Sequence, residues 1–201
     1  ILILKSDLLR SLYIDSQSDK YLLEAEAVNK NLKNSISSLD IALSKAKMFL
    51  ERGNYAASDQ LLKSLESSFH NQSNNPPLFQ EYLITKGKVL SNLNQTEQAI
   101  SYFKKAMSSI SIDQNLLNRS VINFELGKLY FLKKDTQKSI VLLKIALADA
   151  EKINNITQQK NIIRSLITNY LALNNLASYQ EYSKEFLKLN NQIELLEQEA
   201  V

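Results

Sequence analysis

The stretch LITKGKVLSNLNQTEQAISYFKKA, residues 83–106, decides the fold. Leu83, Gly87 and Leu90 follow one another at intervals of four and three, which puts them on one face of a helix. Ala99, Phe103 and Ala106 do the same for a second helix. Only a few polar residues around Asn94-Gln95 separate the two, so the helices fold back on each other as an antiparallel hairpin. Gly87 and Ala99 are the small residues at which two backbones approach closely. The unit then returns: Gly127 lies 40 residues after Gly87, and Leu126, Gly127, Tyr130, Ser139, Leu143 and Ala146 carry the pattern again.

Composition agrees with a helical array. The chain has 201 residues, 44% of them hydrophobic, enough for a continuous core. Three Gly and two Pro leave few positions for the special dihedrals of a turn-rich β fold, so the class is all-α. A net charge of +3, with the signs intermixed, is no nucleic-acid footprint. No apolar run approaches the roughly 20 residues that span a bilayer. The compartment stays open: cytoplasmic and extracytoplasmic parts of a membrane-anchored regulator both fit. There is no initiator Met and the chain ends inside a helical pattern, so a piece of something longer is expected.

Working outward, Leu8, Leu9, Leu12 and Tyr13, then Tyr21, Leu22, Ala25, Val28 and Leu32, fit the template poorly. Residues 1–38 are therefore read as a degenerate repeat or N-terminal cap, which an array needs to close its exposed end. Residues 39–79 form the first clear repeat, with Ala42, Ala46 and Phe49, a turn at Gly53-Asn54-Tyr55, then Ser58, Leu62 and Leu65. The polar run from His70 to Pro76-Pro77 is expected to be a loop. Residues 80–119 and 120–159 are the second and third repeats, with Lys134-Asp135-Thr136 at the latter's turn. In the fourth, 160–201, Asn174-Asn175-Leu176 sits at the turn, and Tyr179 falls where a small residue is expected. Phe186, Leu189, Ile193, Leu196 and Ala200 then step by 3, 4, 3, 4. That is either a capping helix over the last hairpin, a seam for homodimerisation, or a lead into a following domain.

These hairpins, with Gly87 and Gly127 at the close approach and Gly53-Asn54-Tyr55 at the turn, resemble the tetratricopeptide repeat family. The interval of about 40 exceeds the roughly 34 of the standard unit, and extra helical turns and longer linkers are expected to absorb the difference. The resemblance implies a right-handed superhelix of antiparallel hairpins whose inner groove is lined by the first helix of each repeat. It implies a protein- or peptide-binding module. Arrays of this repeat length resemble the sensory or assembly region of bacterial signalling and transcription-regulatory proteins. A peptide-pheromone-type switch and a structural dimerisation scaffold are the alternatives.

Catalysis is not expected. His70 is the one histidine and cysteine is absent, so neither a transition-metal site nor a Cys-His or Ser-His-Asp arrangement can be assembled. The three glycines lie far apart, so there is no phosphate loop, and no cofactor or metal is implied. What remains is surface. The groove positions that the resemblance implies include Lys47, Leu50, Ile84, Lys88, Asn92, Phe124, Lys128, Phe131 and Arg164, with Leu43, Ser44, Glu51, Thr85, Ser91, Glu125, Leu132, Ser165, Thr168 and Leu171 beside them. Lys47, Lys88 and Lys128 each follow a small residue (Ala46, Gly87, Gly127). They are either a line of ammonium groups favouring an acidic segment, extended by Arg164, or merely a solvated face. Phe124 and Phe131 are candidates for an apolar anchor pocket.

Overall fold

The computed structural model describes residues 1–11, 15–32, 35–69, 76–109 and 115–199. Among these the chain forms ten helices and no strand. They are α1 (Leu2–Ser11), α2 (Asp15–Leu32), α3 (Ser35–Glu51), α4 (Tyr55–Phe69), α5 (Pro76–Asn92), α6 (Thr96–Ser108), α7 (Leu116–Leu132), α8 (Thr136–Lys152), α9 (Ile156–Ala172) and α10 (Leu176–Glu199). Two compact units result, Ile1–Tyr102 and Phe103–Val201. Within the first, α1 packs on α2 and α3 on α4; within the second, α7 packs on α8 and α9 on α10. No helix among the described residues is long and apolar enough to cross a membrane.

One device builds the turns. Gly53, Asn94, Lys134, Asn154 and Asn174 all have a positive φ, between 53° and 74°, which stops a helix by reversing its hand for one residue. The next residue returns its N–H to the carbonyl five positions back: Asn54 to Phe49, Gln95 to Leu90, Asp135 to Tyr130, Asn155 to Ala150 and Asn175 to Tyr170. In four of the five, that same residue then starts the following helix. The side chains of Asn54, Asp135, Asn155 and Asn175 accept the N–H of Ala57, Lys138, Gln158 and Ser178. A three-residue link thus closes one helix and caps the next.

This explains the long interval in the second unit. Helices α7, α8 and α9 are each 17 residues long. The link between α8 and α9 is as short as the hairpin turns, so lengthened helices alone supply the extra residues there, without longer linkers.

Packing follows the small residues. Ser6, Ala46, Gly87 and Gly127 succeed one another at intervals of 40, 41 and 40, and each is followed twelve residues later by Ser18, Ser58, Ala99 or Ser139. Ser18 Oγ donates to the Ser6 carbonyl at 3.0 Å, and Ser58 Oγ to the Ala46 carbonyl at 2.7 Å. At Ser18 and Ser58 the hydroxyl takes the place of alanine and satisfies a carbonyl of the facing helix, whereas the buried Ser139 Oγ has no partner among the described residues. The N-terminal pair thereby shares the register of the later hairpins. At Gly127 the fit is close, since a Cβ there would lie 2.8 Å from Leu143 Cγ. Around this contact the second unit buries Ile140, Leu143, Leu147, Ile162, Ile163, Leu166 and Tyr170. A smaller cluster of Leu22, Ala25 and Ile41 serves the first.

Several expectations change. Helices α3, α5, α7 and α9 begin one turn earlier than the apolar pattern suggests, at Ser35, Pro76, Leu116 and Ile156. Pro76 and Pro77 open α5 instead of ending a loop, because first-turn N–H groups have no partner in a helix and proline loses nothing there. Residues 70–75, with His70, and Leu12, Tyr13 and Ala200 lie outside the described residues, as do the side chains of Leu8, Leu9, Leu32 and Leu196. In the last hairpin Tyr179 is partly buried against the core, and Tyr182 stacks on Tyr170 at 5.5 Å between ring centroids. The first half of the C-terminal seam is spent inside the chain. Leu189 is 8% exposed and Phe186 packs on the same cluster, with Lys160 Nζ donating to Asn190 Oδ1 at 2.6 Å. Those residues cap the last hairpin.

Candidate binding faces

In each unit the first helices of successive hairpins lie side by side: α3 meets both α1 and α5, and α7 meets α9. The implied groove positions therefore fall on shared faces, but their side chains are not equally available.

In the first unit, Lys47 Nζ donates to Glu81 Oε1 at 2.6 Å, so a carboxylate of α5 already occupies the ammonium of α3. Leu50 is half-buried and Ile84, at 7% exposure, belongs to the interior. Lys88 is half-buried, and Asn92 is exposed with its Nδ2 donating to the Lys88 carbonyl. The neighbouring Lys86 turns the other way. Its Nζ lies 2.7 Å from Asp59 Oδ1, with only 4% of the lysine side chain and 10% of the aspartate exposed. Lys63, one turn along α4, approaches the other oxygen at 2.6 Å. Burial pushes the Asp59 carboxyl up, but the hydrogen bonds and charges of Lys63 and Lys86 outweigh this and hold it below the usual carboxylate value.

In the second unit, Lys128, Phe131 and Leu132 of α7 face Ser165, Thr168 and Asn169 of α9 across an open cleft of about 220 Å³. Five of these six are groove positions implied by the sequence. Lys128 is engaged from within: its Nζ donates to Glu125 Oε2 at 2.8 Å and sits 5.1 Å from the centre of the Phe124 ring. Phe124 itself packs against the core and Phe131 lines the cleft, so the two rings serve different places. Arg164 is exposed on the flank, donating to Asn161 Oδ1. The hydroxyls of Ser165 and Thr168 donate to the carbonyls of Asn161 and Arg164 on their own helix.

Asn169 is the residue that sequence reasoning missed. It is 2% exposed, its Nδ2 donates to the Ser165 carbonyl at 2.8 Å, and its Oδ1 is buried with no hydrogen-bond partner among the described residues. A signal was present. Met48, Val89 and Leu129 occupy the same register position in the preceding hairpins, so an amide at 169 breaks an apolar column.

No protein-family profile matches the sequence, and no curated protein does. Solved structures do match. The chain is similar to aspartyl phosphate phosphatase F from Bacillus subtilis, with a TM-score of 0.78 at 14% identity over 96% of this chain and 50% of that one. It is also similar to a signal transduction ATPase with numerous domains, bearing a tetratricopeptide repeat sensor, from Pyrococcus horikoshii. There the TM-score is 0.72 at 16% identity, over 94% of this chain and 30% of that one. A third is a putative kinesin light chain of nearly identical tetratricopeptide-like repeats from Podospora anserina, with a TM-score of 0.68 at 14% identity and 94% of both chains covered. The chain thus spans half the length of the first of these and under a third of the second. At such identities the likeness establishes the fold, which is that of the tetratricopeptide-like helical repeat proteins.

Proposed function

We propose that this chain is a non-catalytic interaction module that holds a segment of another protein on the face made by the first helices of its hairpins. The observation that carries this is the α7–α9 cleft, where Phe131 and Leu132 meet Ser165, Thr168 and Asn169. Leu132 is 64% exposed there, an apolar side chain presented to solvent beside a concave wall. Two similar structures are named as an aspartyl phosphate phosphatase and as a signal transduction ATPase with a tetratricopeptide repeat sensor, and both are longer than this chain. They support a place within a larger bacterial signalling or transcription-regulatory protein. Because Lys47 and Lys128 hold carboxylates of their own chain, an acidic partner would be left with Lys88 and Arg164, and the apolar cleft is the better guide to the partner.

A photo-crosslinking amino acid placed at Leu132 in the source cell should capture a defined partner. The same group at Val141, 58% exposed on α8, should not. Equal capture from both positions, or none from Leu132, would remove the assignment to this face.

A further inference from the structure

Independently of the α7–α9 cleft, we propose that Lys104, Tyr130 and Lys138 form a second binding site, one that takes a phosphate monoester. Its two lysines belong to second helices of the hairpins, α6 and α8, whereas the cleft is built from first helices.

The ring of Tyr130 is the centre. Tyr130 is 7% exposed, and Lys138 Nζ stands 4.1 Å from the middle of its ring. Lys104 approaches the same phenol, and both lysines are themselves exposed. The hydroxyl feels the two of them. Hydrogen bonding by Lys138 lowers its pKa most, burial works against this, and the charge and hydrogen bonding of Lys104 carry it below the usual phenol value.

Two ammonium groups held at one hydroxyl repel each other, and the chain supplies no counter-charge. Lys47, Lys86 and Lys128 each hold a carboxylate, but neither Lys104 nor Lys138 makes an ion pair among the described residues. Asp135, three residues before Lys138, caps α8 by accepting the Lys138 N–H. The repeat register sharpens the contrast. Lys63 holds the position of Lys104 one hairpin earlier and is paired with Asp59, four residues before it. At Lys104 that place is taken by Ile100, an apolar residue 5% exposed. One hairpin later the lysine–tyrosine contact recurs, with Lys144 Nζ 5.9 Å from the centre of the Tyr170 ring. There Ser178 stands in place of Lys138, Tyr182 stacks on the ring, and Glu181 adds a negative charge near the ammonium. Only the Tyr130 version gathers two cations and no acid.

Charge and donor count select the ligand. A phosphate monoester carries about −1.5 to −2 at pH 7 and three acceptor oxygens. That matches two ammonium groups and one phenolic O–H. A carboxylate brings a single charge and two oxygens, so it leaves one ammonium uncompensated.

The test titrates methyl phosphate, dimethyl phosphate and acetate into the intact protein at one ionic strength, set with sodium chloride. Binding is followed by the ring NMR signals of Tyr130, identified by their loss in Tyr130→Phe. Methyl phosphate should saturate and bind at least tenfold more tightly than the singly charged diester or acetate. Lys104→Gln and Lys138→Gln should each weaken it at least fivefold, while Lys144→Gln leaves it unchanged. Inorganic phosphate and N-acetyl-O-phosphoserine N-methylamide then distinguish the source. Tighter binding of the first marks the free ion and of the second a phosphorylated side chain, and either supports the site. Equal binding of methyl phosphate and acetate, affinity that survives Lys104→Gln and Lys138→Gln, an equal loss with Lys144→Gln, or no saturation overturns the proposal. Crosslinking from Leu132 reads a different face, so the two assignments stand or fall separately.

Discussion

The buried Asp59–Lys86 pair makes the sharpest test of the repeat register. At the corresponding positions the second unit has Ile140 and Leu166, both in its core, and the ion pair stands where that unit places two aliphatic side chains. Removing one partner of a buried pair costs about 3–5 kcal/mol, because the other charge stays buried without compensation. The two halves should differ. Asp59→Ile strands an ammonium whose side chain is 4% exposed, and belongs at the upper end of that range. Lys86→Leu leaves Asp59 with Lys63 at 2.6 Å, and belongs at the lower end. If the costs added, the double variant would lose about 8 kcal/mol. Restoring the aliphatic pair should instead leave it neutral or up to about 4 kcal/mol more stable than the native chain, since well-packed apolar residues often replace buried ion pairs without loss. Urea unfolding followed by helical circular dichroism gives the three values as one double-mutant cycle. The Asp59 carboxyl titrates below its ordinary 3.8 when folded, so its contribution is complete above that value and is lost as pH falls through the depressed one. The double variant should lack this part of the acid sensitivity. Additive losses in the cycle would show that the two positions do not share the environment of Ile140 and Leu166.

Three further outcomes follow from single contacts. Gly127→Ala should destabilise by about 1 kcal/mol, the overpacking against Leu143 exceeding the gain in helix propensity, and combining it with Leu143→Ala should give a less-than-additive loss in the same assay. Lys134→Gly should raise stability by about 0.5–1 kcal/mol, since Lys134 holds a φ of 64° that glycine adopts without a Cβ penalty; a lower thermal midpoint would contradict this. Leu189→Ala should cost about 2–4 kcal/mol, whereas Leu187→Ala, at a site 61% exposed, should stay within about 0.5 kcal/mol. If light scattering shows that Leu187→Ala splits a dimer, α10 pairs between chains after all.

Much of the fold could be read in advance because the small residues are sparse and regularly spaced. Gly87, Ala99, Gly127 and Ser139 mark where helices close on each other, and little else in the sequence has that spacing. The positions of helix starts were less legible. The first turns of α5, α7 and α9 carry residues such as Pro77, Leu117 and Thr157, which are exposed and contribute nothing to the apolar period. The N-terminal pair escaped for a different reason. Ser6 and Ser18 do the work of alanine through a hydrogen bond, which a scan for small apolar residues passes over. At the candidate site, the resemblance implied Phe131, Leu132, Ser165 and Thr168, which line one cleft, and equally Leu43, Ser44 and Thr85, which the fold buries. It could not reveal that Lys47 is taken up by Glu81, since these meet only once α3 and α5 are packed, whereas the Lys128–Glu125 pair, three residues apart on one helix, was there to be read.

Departures from the register therefore fall into two kinds, and the structure separates them. Asp59 and Lys86 break an apolar column but find each other, and Tyr179 breaks the small-residue column but packs on the last core beside Tyr182. Ser18 and Ser58 break it and bind a carbonyl. Each of these is accounted for by the fold alone, because the cost of the unusual residue is offset within the chain. Asn169 gains one hydrogen bond for its Nδ2 and none for its Oδ1. Leucine at that position would fill the column as Leu129 does, at no polar cost. Ser139 stands with Asn169, its buried Oγ likewise without a partner among the described residues, so at these two positions the cost of the unusual residue is not offset within the described chain.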